Sequence, residues 1–571
     1  MLRSISSAAT VILSCALVSF ACAGDEPAGA QGAAARELAA HTAEFKRDIV
    51  KVTEGVYVAI GYGLANSVLL VGPDGTVVID VMESNEAGSP VKKAFDKISA
   101  KPLRAIIYTH FHTDHVSGID AFLNKGDVDI YAHDKTMAEM DRVATVTQEI
   151  TYRRSMRMFG TFVPKKDFVN SGIGPELLFN DKTVMSYRRA NKTFSGERMK
   201  MRAAGIDLEL IHAPGETDDQ IVVWLPAKKV LIAADDFYRS FPNLYTIRGT
   251  RYRDVQVWAR SLETMRKLGA EFMVPCHSRP VTGAAVISGT LADYRDAIQY
   301  VHDQTVRGMN RGLTADEIVE LVRLPKHLAE KPYLREFYGT VRWSVRNIFG
   351  GYLGWFSGDA AALNPLPPTE RAARMASLAG GKGKLLDRAQ EALEKGDHQW
   401  ALELAGHLLA LKPGMKDALG IRSACFRELA ARSGNANERN YYLSQALEAD
   451  GKLTLGRPRV TPDLARRIPL AAIFAGMGVR LNPEKSADVR QTVGFRFPDT
   501  GEAYTVQVRR GVAFIEPVFP AKADITVSLS SSLWKEIAAQ TANPAVALAK
   551  GDVKIEGGLV NLVKFLSLFR D

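Results

Sequence analysis

The stretch Thr109-His110-Phe111-His112-Thr113-Asp114-His115 brings three imidazoles and one carboxylate together within residues 110–115. It directly follows Ala105-Ile106-Ile107-Tyr108, an apolar run that predicts a short buried strand. The four side chains would then leave the C-terminal end of that strand, where imidazole nitrogens and carboxylate oxygens can converge on a divalent ion. Because adjacent residues cannot all point at one ion, the spacing predicts two neighbouring metal ions.

Four further apolar segments each end in a polar residue that could join this loop. They are Thr76-Val77-Val78-Ile79-Asp80, Leu208-Glu209-Leu210-Ile211-His212-Ala213-Pro214-Gly215-Glu216, Val230-Leu231-Ile232-Ala233-Ala234-Asp235 and Phe272-Met273-Val274-Pro275-Cys276-His277. A His-x-His-x-Asp-His loop followed by such segments in this order resembles the metallo-β-lactamase superfamily. The resemblance implies the α/β class and, for the catalytic domain, an αββα sandwich.

The resemblance also implies a centre with two metal ions and seven ligands. His110, His112 and Glu216 would bind one ion, Asp114, His115 and His277 the other, and Asp235 would bridge them. Asp80 would hydrogen-bond to the metal loop and orient it. Two Zn²⁺ ions are expected, although nitrogen and oxygen ligands without thiolates also suit iron or manganese. In the turn after Pro214-Gly215, Asp218 competes with Glu216 as the ligand.

The segment after Asp235 narrows the resemblance. Asn243-Leu244-Tyr245-Thr246-Ile247-Arg248-Gly249 is similar to the corresponding segment of alkylsulfatases of the dodecyl-sulfate hydrolase type. That similarity implies that Asn243 and Arg248 bind the sulfate group and act with Asp235 in catalysis. A guanidinium also suits this role on chemical grounds, because it offers a planar fork to two oxyanion oxygens. The expected reaction is hydrolysis of an alkyl sulfate ester to an alcohol and inorganic sulfate.

Other functions remain open at this stage. The same scaffold serves lactonases, thioesterases, phosphodiesterases and β-lactamases, so the fold alone does not choose among hydrolases. A lipid or surfactant carrier with an inert metal site is a second class. This chain also has Ala234-Asp235-Asp236 where relatives carry Ala-Glu-Asn, which leaves the exact anionic ester undecided.

Length and composition indicate a multidomain globular protein. The 571 residues are 46% hydrophobic and 24% charged, which is ordinary for folded domains. The net charge of +9 is not gathered into basic runs, so nucleic-acid binding is disfavoured. Two of the four cysteines, Cys15 and Cys22, precede residue 24, and Cys276 and Cys425 form no Cys-x-x-Cys pair, so no disulfide framework is predicted.

Residues 1–23 resemble a cleavable signal peptide. Arg3 precedes an apolar core, and Ala21-Cys22-Ala23 provides small residues for cleavage. Export to the periplasm or the medium is expected, with lipid modification of Cys22 as the alternative. Residues 24–45 are expected to form a linker, and the rest of the sequence has no apolar run long enough to predict stable membrane insertion.

Three domains are expected after the linker. The catalytic domain would span residues 46–300, an all-α helical domain residues 301–445, and an α+β domain residues 456–571. Apolar spacing from Leu385 to Leu411, broken at Gly396-Asp397, predicts an antiparallel helix pair. The family resemblance implies that the helical domain forms a homodimer. It also implies that the last domain is similar to sterol carrier protein 2 (SCP2-like), with a groove for a hydrocarbon tail or simply a packed core.

Overall fold

The structure is a computed structural model that describes residues 32–123, 128–179, 183–458 and 460–569. The predicted signal peptide lies outside the described residues, as does the first part of the predicted linker. The linker prediction is wrong for its second part. Residues Ala33–His41 form helix α1 and Thr42–Phe45 form a 3₁₀ turn, and Leu38 and Phe45 are buried.

Two β-sheets form the centre of the catalytic domain. The first has seven strands in chain order: β1 (Asp48–Thr53), β2 (Val56–Ile60), β3 (Ser67–Val71), β4 (Thr76–Ile79), β5 (Leu103–Ile107), β6 (Asp129–His133) and β7 (Lys192–Phe194). The second has six: β8 (Arg198–Ala203), β9 (Ile206–His212), β10 (Ile221–Leu225), β11 (Val230–Ala234), β12 (Phe272–Pro275) and β13 (Val281–Thr282). Parallel pairing joins β4 to β5, β5 to β6, β6 to β7 and β11 to β12. Carboxyl ends of these strands therefore lie at common edges.

Helices cover the outer face of each sheet. On the first sheet these are α2 (Asn85–Ile98), α3 (Thr113–Val116) and α4 (Asp134–Thr145), and on the second α6 (Val255–Lys267) and α7 (Ala284–Asn310). Helix α5 (Gln148–Met158) follows α4 and contacts it. Aliphatic side chains from both sheets, such as Val58, Ile79, Leu210 and Val223, share one buried core between them. This arrangement confirms the predicted αββα sandwich.

The helical region continues from α7. Helices α8 (Ala315–Leu321), α9 (Lys326–Ala329) and α10 (Val341–Leu353) belong to the same core as α6 and α7. They are followed by α11 (Pro368–Leu378), α12 (Lys382–Glu394), α13 (His398–Leu411), α14 (Lys416–Arg432) and α15 (Ala436–Ala449). The predicted helix pair is confirmed, because α12 and α13 pack through Leu385, Ala389 and Leu404 on either side of Gly396.

The C-terminal region is α+β, as predicted. It contains α16 (Pro462–Arg467), α17 (Leu470–Gly478), β14 (Arg490–Phe497), β15 (Glu502–Arg509), β16 (Val512–Glu516), β17 (Ile525–Leu529), α18 (Ser531–Ala538), α19 (Pro544–Ala549), β18 (Val553–Glu556) and α20 (Leu559–Ser567). Its five strands are ordered β16-β15-β14-β17-β18. Phe474 of α17 stacks on Tyr504 and Trp534, so aromatic side chains fill this domain's core. In the described part of the chain, no helix is both long and apolar enough to cross a membrane.

Candidate metal centre

The metal loop lies at the carboxyl end of β5, as its sequence predicts. Strand β5 ends at Ile107, and the one-turn helix α3 begins at Thr113, so His110 and His112 lie between them. His110, His112, Asp114 and His115 are all buried. The His110 Nε2 atom lies 2.8 Å from His112 Nδ1, which places these two ring nitrogens on the same side of the loop.

Asp80 holds the loop from the adjacent strand. Its Oδ1 accepts a hydrogen bond from the backbone N–H of Thr109 at 2.8 Å, and its Oδ2 accepts one from the Thr109 hydroxyl at 2.8 Å. The same Oδ2 lies 2.7 Å from Nδ1 of His115 and 3.2 Å from Sγ of Cys276. Because Nδ1 of His115 is engaged, Nε2 is the nitrogen that faces the centre.

Asp235 and His277 come from neighbouring parallel strands of the second sheet, β11 and β12. Nε2 of His277 lies 3.2 Å from Asp235 Oδ2 and 3.5 Å from Asp114 Oδ2. The same Asp235 Oδ2 is 3.6 Å from Nε2 of His110 and 3.4 Å from Nε2 of His115. One carboxylate oxygen of Asp235 thus lies within 3.6 Å of a ring nitrogen of His110, His115 and His277. Its role as a bridging ligand stays a prediction.

The structure distinguishes the two candidate ligand carboxylates, Glu216 and Asp218, in the turn after Pro214-Gly215. Glu216 is buried, and its Oε1 lies 4.0 Å from Nδ1 of His112. The side chain of Asp218 is 72% exposed and pairs with Lys135 at 2.9 Å. The alternative in which Asp218 is the ligand is therefore wrong, because this side chain points away from the histidines.

All seven predicted ligands come together. Potential ligand atoms lie within 4.8 Å of one another in three overlapping groups, namely His112 with Glu216 and Asp235, His110 with His115 and Asp235, and Asp114 with His115 and His277. His110 shares a group with His115, and its Nε2 also lies 2.8 Å from Nδ1 of His112, so the division of the ligands between two ions stays a prediction. Among the described residues, Asp235 Oδ1, Glu216 Oε2 and His115 Nε2 are buried without a hydrogen-bond partner. Buried nitrogen and oxygen donors in this state fit a divalent metal ion.

Charge and burial set the protonation of the ligands. Burial lowers the pKa of His110 to about 3 and that of His112 well below its usual value, so both rings are neutral. Burial opposes protonation of His115 as well, but the carboxylates of Asp235, Asp114 and Asp80 raise its pKa well above normal. A metal ion at His115 must therefore displace a proton.

The two predicted sulfate-binding residues differ in position. Nη2 of Arg248 donates a hydrogen bond to Nε2 of His112 at 2.8 Å, so its guanidinium touches the metal loop. Asn243 is fully buried, and its side-chain amide has no partner among the described residues. Of this pair, Arg248 lines the cavity beside the ligands, whereas Asn243 is not among the residues that line it.

Two buried residues of the site, Arg253 and Glu83, are not among the predicted site residues. Arg253 donates from Nη1 to the backbone carbonyl of Asn243 at 2.5 Å and pairs through Nη2 with Glu216 at 2.9 Å. Arg253 thereby connects the ligand Glu216 to the loop that carries Arg248. Glu83 lines the cavity four positions after the end of β4. The sequence indicates Glu83 only as a single acidic residue directly after the apolar Val81-Met82.

A cavity adjoins four of the ligands, namely His112, Asp114, Glu216 and Asp235. Arg248, Glu216 and Asp235 line its polar part, and most of the remaining wall is apolar. The apolar side chains include Met140, Val143, Met156, Phe159, Leu177 and Phe179 of the catalytic domain and Val460, Leu464 and Ile468 from the start of the C-terminal region. The cavity therefore joins a charged centre to an apolar space built by two domains.

Comparisons with known proteins agree with this architecture. Family models match at residues 60–277 (metallo-beta-lactamase superfamily), 314–452 (alkyl sulfatase dimerisation) and 458–571 (alkyl sulfatase C-terminal). A linear primary-alkylsulfatase of Pseudomonas sp. (strain ATCC 19151) is 39% identical over 520 residues, covering 88% of this chain and 98% of that protein. An (R)-specific secondary-alkylsulfatase of Pseudomonas sp. is 29% identical, covering 91% of this chain and 80% of that protein. The solved stereoselective inverting sec-alkylsulfatase Pisa1 from Pseudomonas sp. superimposes with a TM-score of 0.87 at 27% identity, covering 92% of this chain and 85% of that one. The chain belongs to the alkylsulfatase family of metallo-β-lactamase-fold enzymes.

Proposed function

We propose that the protein hydrolyses alkyl sulfate esters to an alcohol and inorganic sulfate at a centre of two zinc ions. The observation that carries the proposal is the cavity, in which Arg248 and the ligands His112, Asp114, Glu216 and Asp235 adjoin a largely apolar space. An alkyl sulfate has the same division into an anionic head and an apolar tail. Each methylene buried in the cavity would contribute about 0.8 kcal/mol, so dodecyl sulfate should bind more tightly than short alkyl sulfates.

Charge favours the anionic head at the centre. Three carboxylates, Asp114, Glu216 and Asp235, belong to the ligand set. Two dications held by these residues and the four histidines would leave one net positive charge, and they would polarise the bound sulfate and water. Arg248 adds a guanidinium that can donate two parallel hydrogen bonds to sulfate oxygens. The residues of the chain thus bind and orient the head group.

We further propose that the C–O bond is the one that breaks. Pisa1 is described as a stereoselective inverting sec-alkylsulfatase. Inversion at a carbon centre requires that the nucleophile attack that carbon, and the sulfate then leaves with its ester oxygen. Hydrolysis in ¹⁸O-water should place the label in the alcohol, whereas label in the sulfate would show S–O cleavage.

A substrate panel on the purified protein tests the proposal. Dodecyl sulfate, a phosphodiester, a lactone and a β-lactam should give turnover only with the sulfate ester. Elemental analysis of the same sample should find two zinc ions per chain. Hydrolysis of lactones or phosphodiesters alone would replace the proposal with another activity of the superfamily, and metal binding without any turnover would favour a carrier.

The proposal extends to assembly as a homodimer. Trp355 and Leu378 of the helical region are 78% and 85% exposed, and the region matches the family model for alkyl sulfatase dimerisation. Contiguous exposed apolar patches mark interaction surfaces, and the proposal assigns these two side chains to such a patch. Light scattering should give about twice the chain mass of 62.5 kDa, and Leu378→Asp should shift the protein toward the monomer. A concentration-independent monomer mass for the parent would reject the dimer.

Export to the periplasm or the medium is proposed from residues 1–23. Cell fractionation and N-terminal sequencing should find the mature chain outside the cytoplasm, beginning at Gly24. A lipid-modified Cys22 at the N-terminus would instead identify a membrane-anchored lipoprotein. A cytoplasmic, unprocessed chain would contradict export.

A further inference from the structure

Glu83 is a fully buried carboxyl group in the wall of the cavity. Its Oε1 accepts hydrogen bonds from the backbone N–H groups of Leu64 and Leu178, each at 3.0 Å. Its Oε2 has no hydrogen-bond partner among the described residues. An unpaired buried acceptor is costly unless a bound molecule completes its hydrogen bonding. The free oxygen therefore points to a ligand or a water in this cavity.

The backbone around Glu83 fixes its carboxyl group. A Cβ atom added at Gly63 would lie 2.5 Å from both carboxylate oxygens, so only glycine leaves room for this close approach. The two N–H donors, from the β2–β3 loop and from the segment at Leu178, hold the other side of the group. Two hydrogen bonds thus hold Oε1 of Glu83, whereas its Oε2 has no hydrogen-bond partner among the described residues.

Glu83 shares the cavity wall with the residues that are proposed to bind the substrate. The charged groups and the imidazole that share its wall are His112, Asp114, Glu216, Asp235 and Arg248. Burial raises the pKa of Glu83 to about 7, the backbone N–H groups of Leu178, Leu64 and Glu83 itself oppose the rise, and the negative charge of Asp114 adds to it. A carboxylate with a pKa near neutrality is a stronger base than an ordinary one, and about half of it is deprotonated at neutral pH.

We propose that Glu83 is a catalytic residue whose Oε2 accepts the proton of the attacking water. The inference rests on the proposed alkylsulfatase function with C–O cleavage. One O–H bond of water breaks and its proton goes to Oε2, while the water oxygen forms a bond to the ester carbon. The C–O bond breaks, its electron pair departs with the sulfate dianion, and Glu83 later releases the proton to solvent.

The chemistry of the reaction needs an acceptor of this kind. Sulfate is a weak base and leaves without being protonated, whereas water must lose a proton when it attacks carbon. Glu83 follows a strand of the first sheet, and Arg248 lies on the loop after β11 of the second sheet. Displacement with inversion requires that the base and the sulfate-binding group act on opposite sides of the carbon, and the proposal assigns these two sides to Glu83 and Arg248.

The test compares Glu83→Gln with the parent enzyme on dodecyl sulfate across pH. Glutamine keeps the size of the side chain and an oxygen that can accept both N–H bonds. We expect kcat to fall at least about a hundredfold, as for loss of a general base. The rise of kcat with pH that deprotonation of Glu83 would cause should disappear in the variant, and its zinc content should be unchanged.

Glu86→Gln provides a matched control. Glu86 lies three residues further on, accepts a hydrogen bond from the backbone N–H of Val184 at 3.1 Å, and is exposed outside the cavity. This variant should keep the parent kcat and profile. Gly63→Ala is the second variant, because its Cβ should displace the Glu83 carboxyl group without changing Glu83 itself.

The outcomes are distinguishable. Parent-like kcat in Glu83→Gln, or reduced kcat with an unchanged pH profile, overturns the role of Glu83 while the alkylsulfatase function stands. A parent enzyme that releases no sulfate from alkyl sulfates overturns both. If Glu83→Gln fails to fold by circular dichroism, Gly63→Ala decides, and a parent-like profile there also overturns the inference.

Discussion

Replacing Asp80 with asparagine should weaken metal binding without removing any ligand. The Oδ2 atom of Asp80 lies 2.7 Å from Nδ1 of His115 and accepts a hydrogen bond from the Thr109 hydroxyl at 2.8 Å. An asparagine amide can keep the bond from the Thr109 backbone with its oxygen, but its NH₂ group then faces Nδ1 of His115. Two donors repel, so the ring proton moves to Nε2, the nitrogen that faces the centre.

The expected loss is ten- to a hundredfold in affinity, or about 1.4–2.8 kcal/mol, because a partner of a ligand is lost rather than the ligand itself. The loss of affinity should affect mainly the ion predicted to bind His115, Asp114 and His277. Competition with a zinc chelator measures the affinity, and elemental analysis measures the stoichiometry.

Asp74→Asn is the control for Asp80→Asn, because Asp74 lies exposed in the turn before β4, at the opposite end of the strand. It should bind zinc like the parent. The reasoning about Asp80 is refuted if Asp80→Asn binds both ions with the parent affinity.

Three further results are expected. Asp235→Ala should loosen both ions, whereas Asp114→Ala or His277→Ala should deplete chiefly one; equal depletion in all three by elemental analysis would contradict the bridging role of Asp235. Arg248→Ala should lower turnover about a hundredfold, or about 3 kcal/mol, and Arg248→Lys somewhat less, with metal content unchanged. Parent turnover in both variants would exclude Arg248 from sulfate binding. Burial raises the pKa of Glu83 from 4.5 to about 7, so the folded state binds this proton more tightly and the free energy of unfolding falls as pH rises through that interval. This loss of unfolding free energy is about 3 kcal/mol. Glu83→Gln should reduce the pH dependence of stability measured by thermal denaturation between about pH 5 and 8. An unchanged pH dependence in the variant would contradict the raised pKa of Glu83.

The sequence predicts the sandwich and the metal loop because both depend on local patterns. Strands β4, β5, β11 and β12 are short apolar runs, and each is followed within a few residues by a polar side chain of the centre. Parallel pairing brings the ends of neighbouring strands together, so order along the chain is enough to propose one site. The helix pair around Gly396 is equally local.

What the sequence did not predict depends on contacts between distant residues. Helix α1 has the composition of a linker, but Nδ2 of Asn170 donates a hydrogen bond to the Leu38 carbonyl at 2.8 Å, and His41 bonds to the carbonyl of Gly172 at 3.0 Å. The choice of Glu216 over Asp218 depends on how one turn directs two side chains two residues apart. Glu83 belongs to no motif, and only the tertiary fold brings it to the cavity.

The charge of the centre explains how the carboxylates of Asp114 and Asp235 can be buried together. Burial alone would raise the pKa of Asp114 and Asp235 and keep them protonated. In this site the neighbouring imidazoles outweigh burial, so the pKa of Asp114 falls to about 2 and that of Asp235 falls well below its usual value. The same carboxylates raise the pKa of His115 and His277, although burial opposes it. Imidazolium groups therefore balance the carboxylates when no ion is bound. Because a ligand nitrogen needs its lone pair, each metal ion that binds there must displace a proton, and metal affinity should rise with pH. Exchanging single positive charges for dications then leaves the centre more positive, and an anionic sulfate ester is the kind of substrate that offsets this charge.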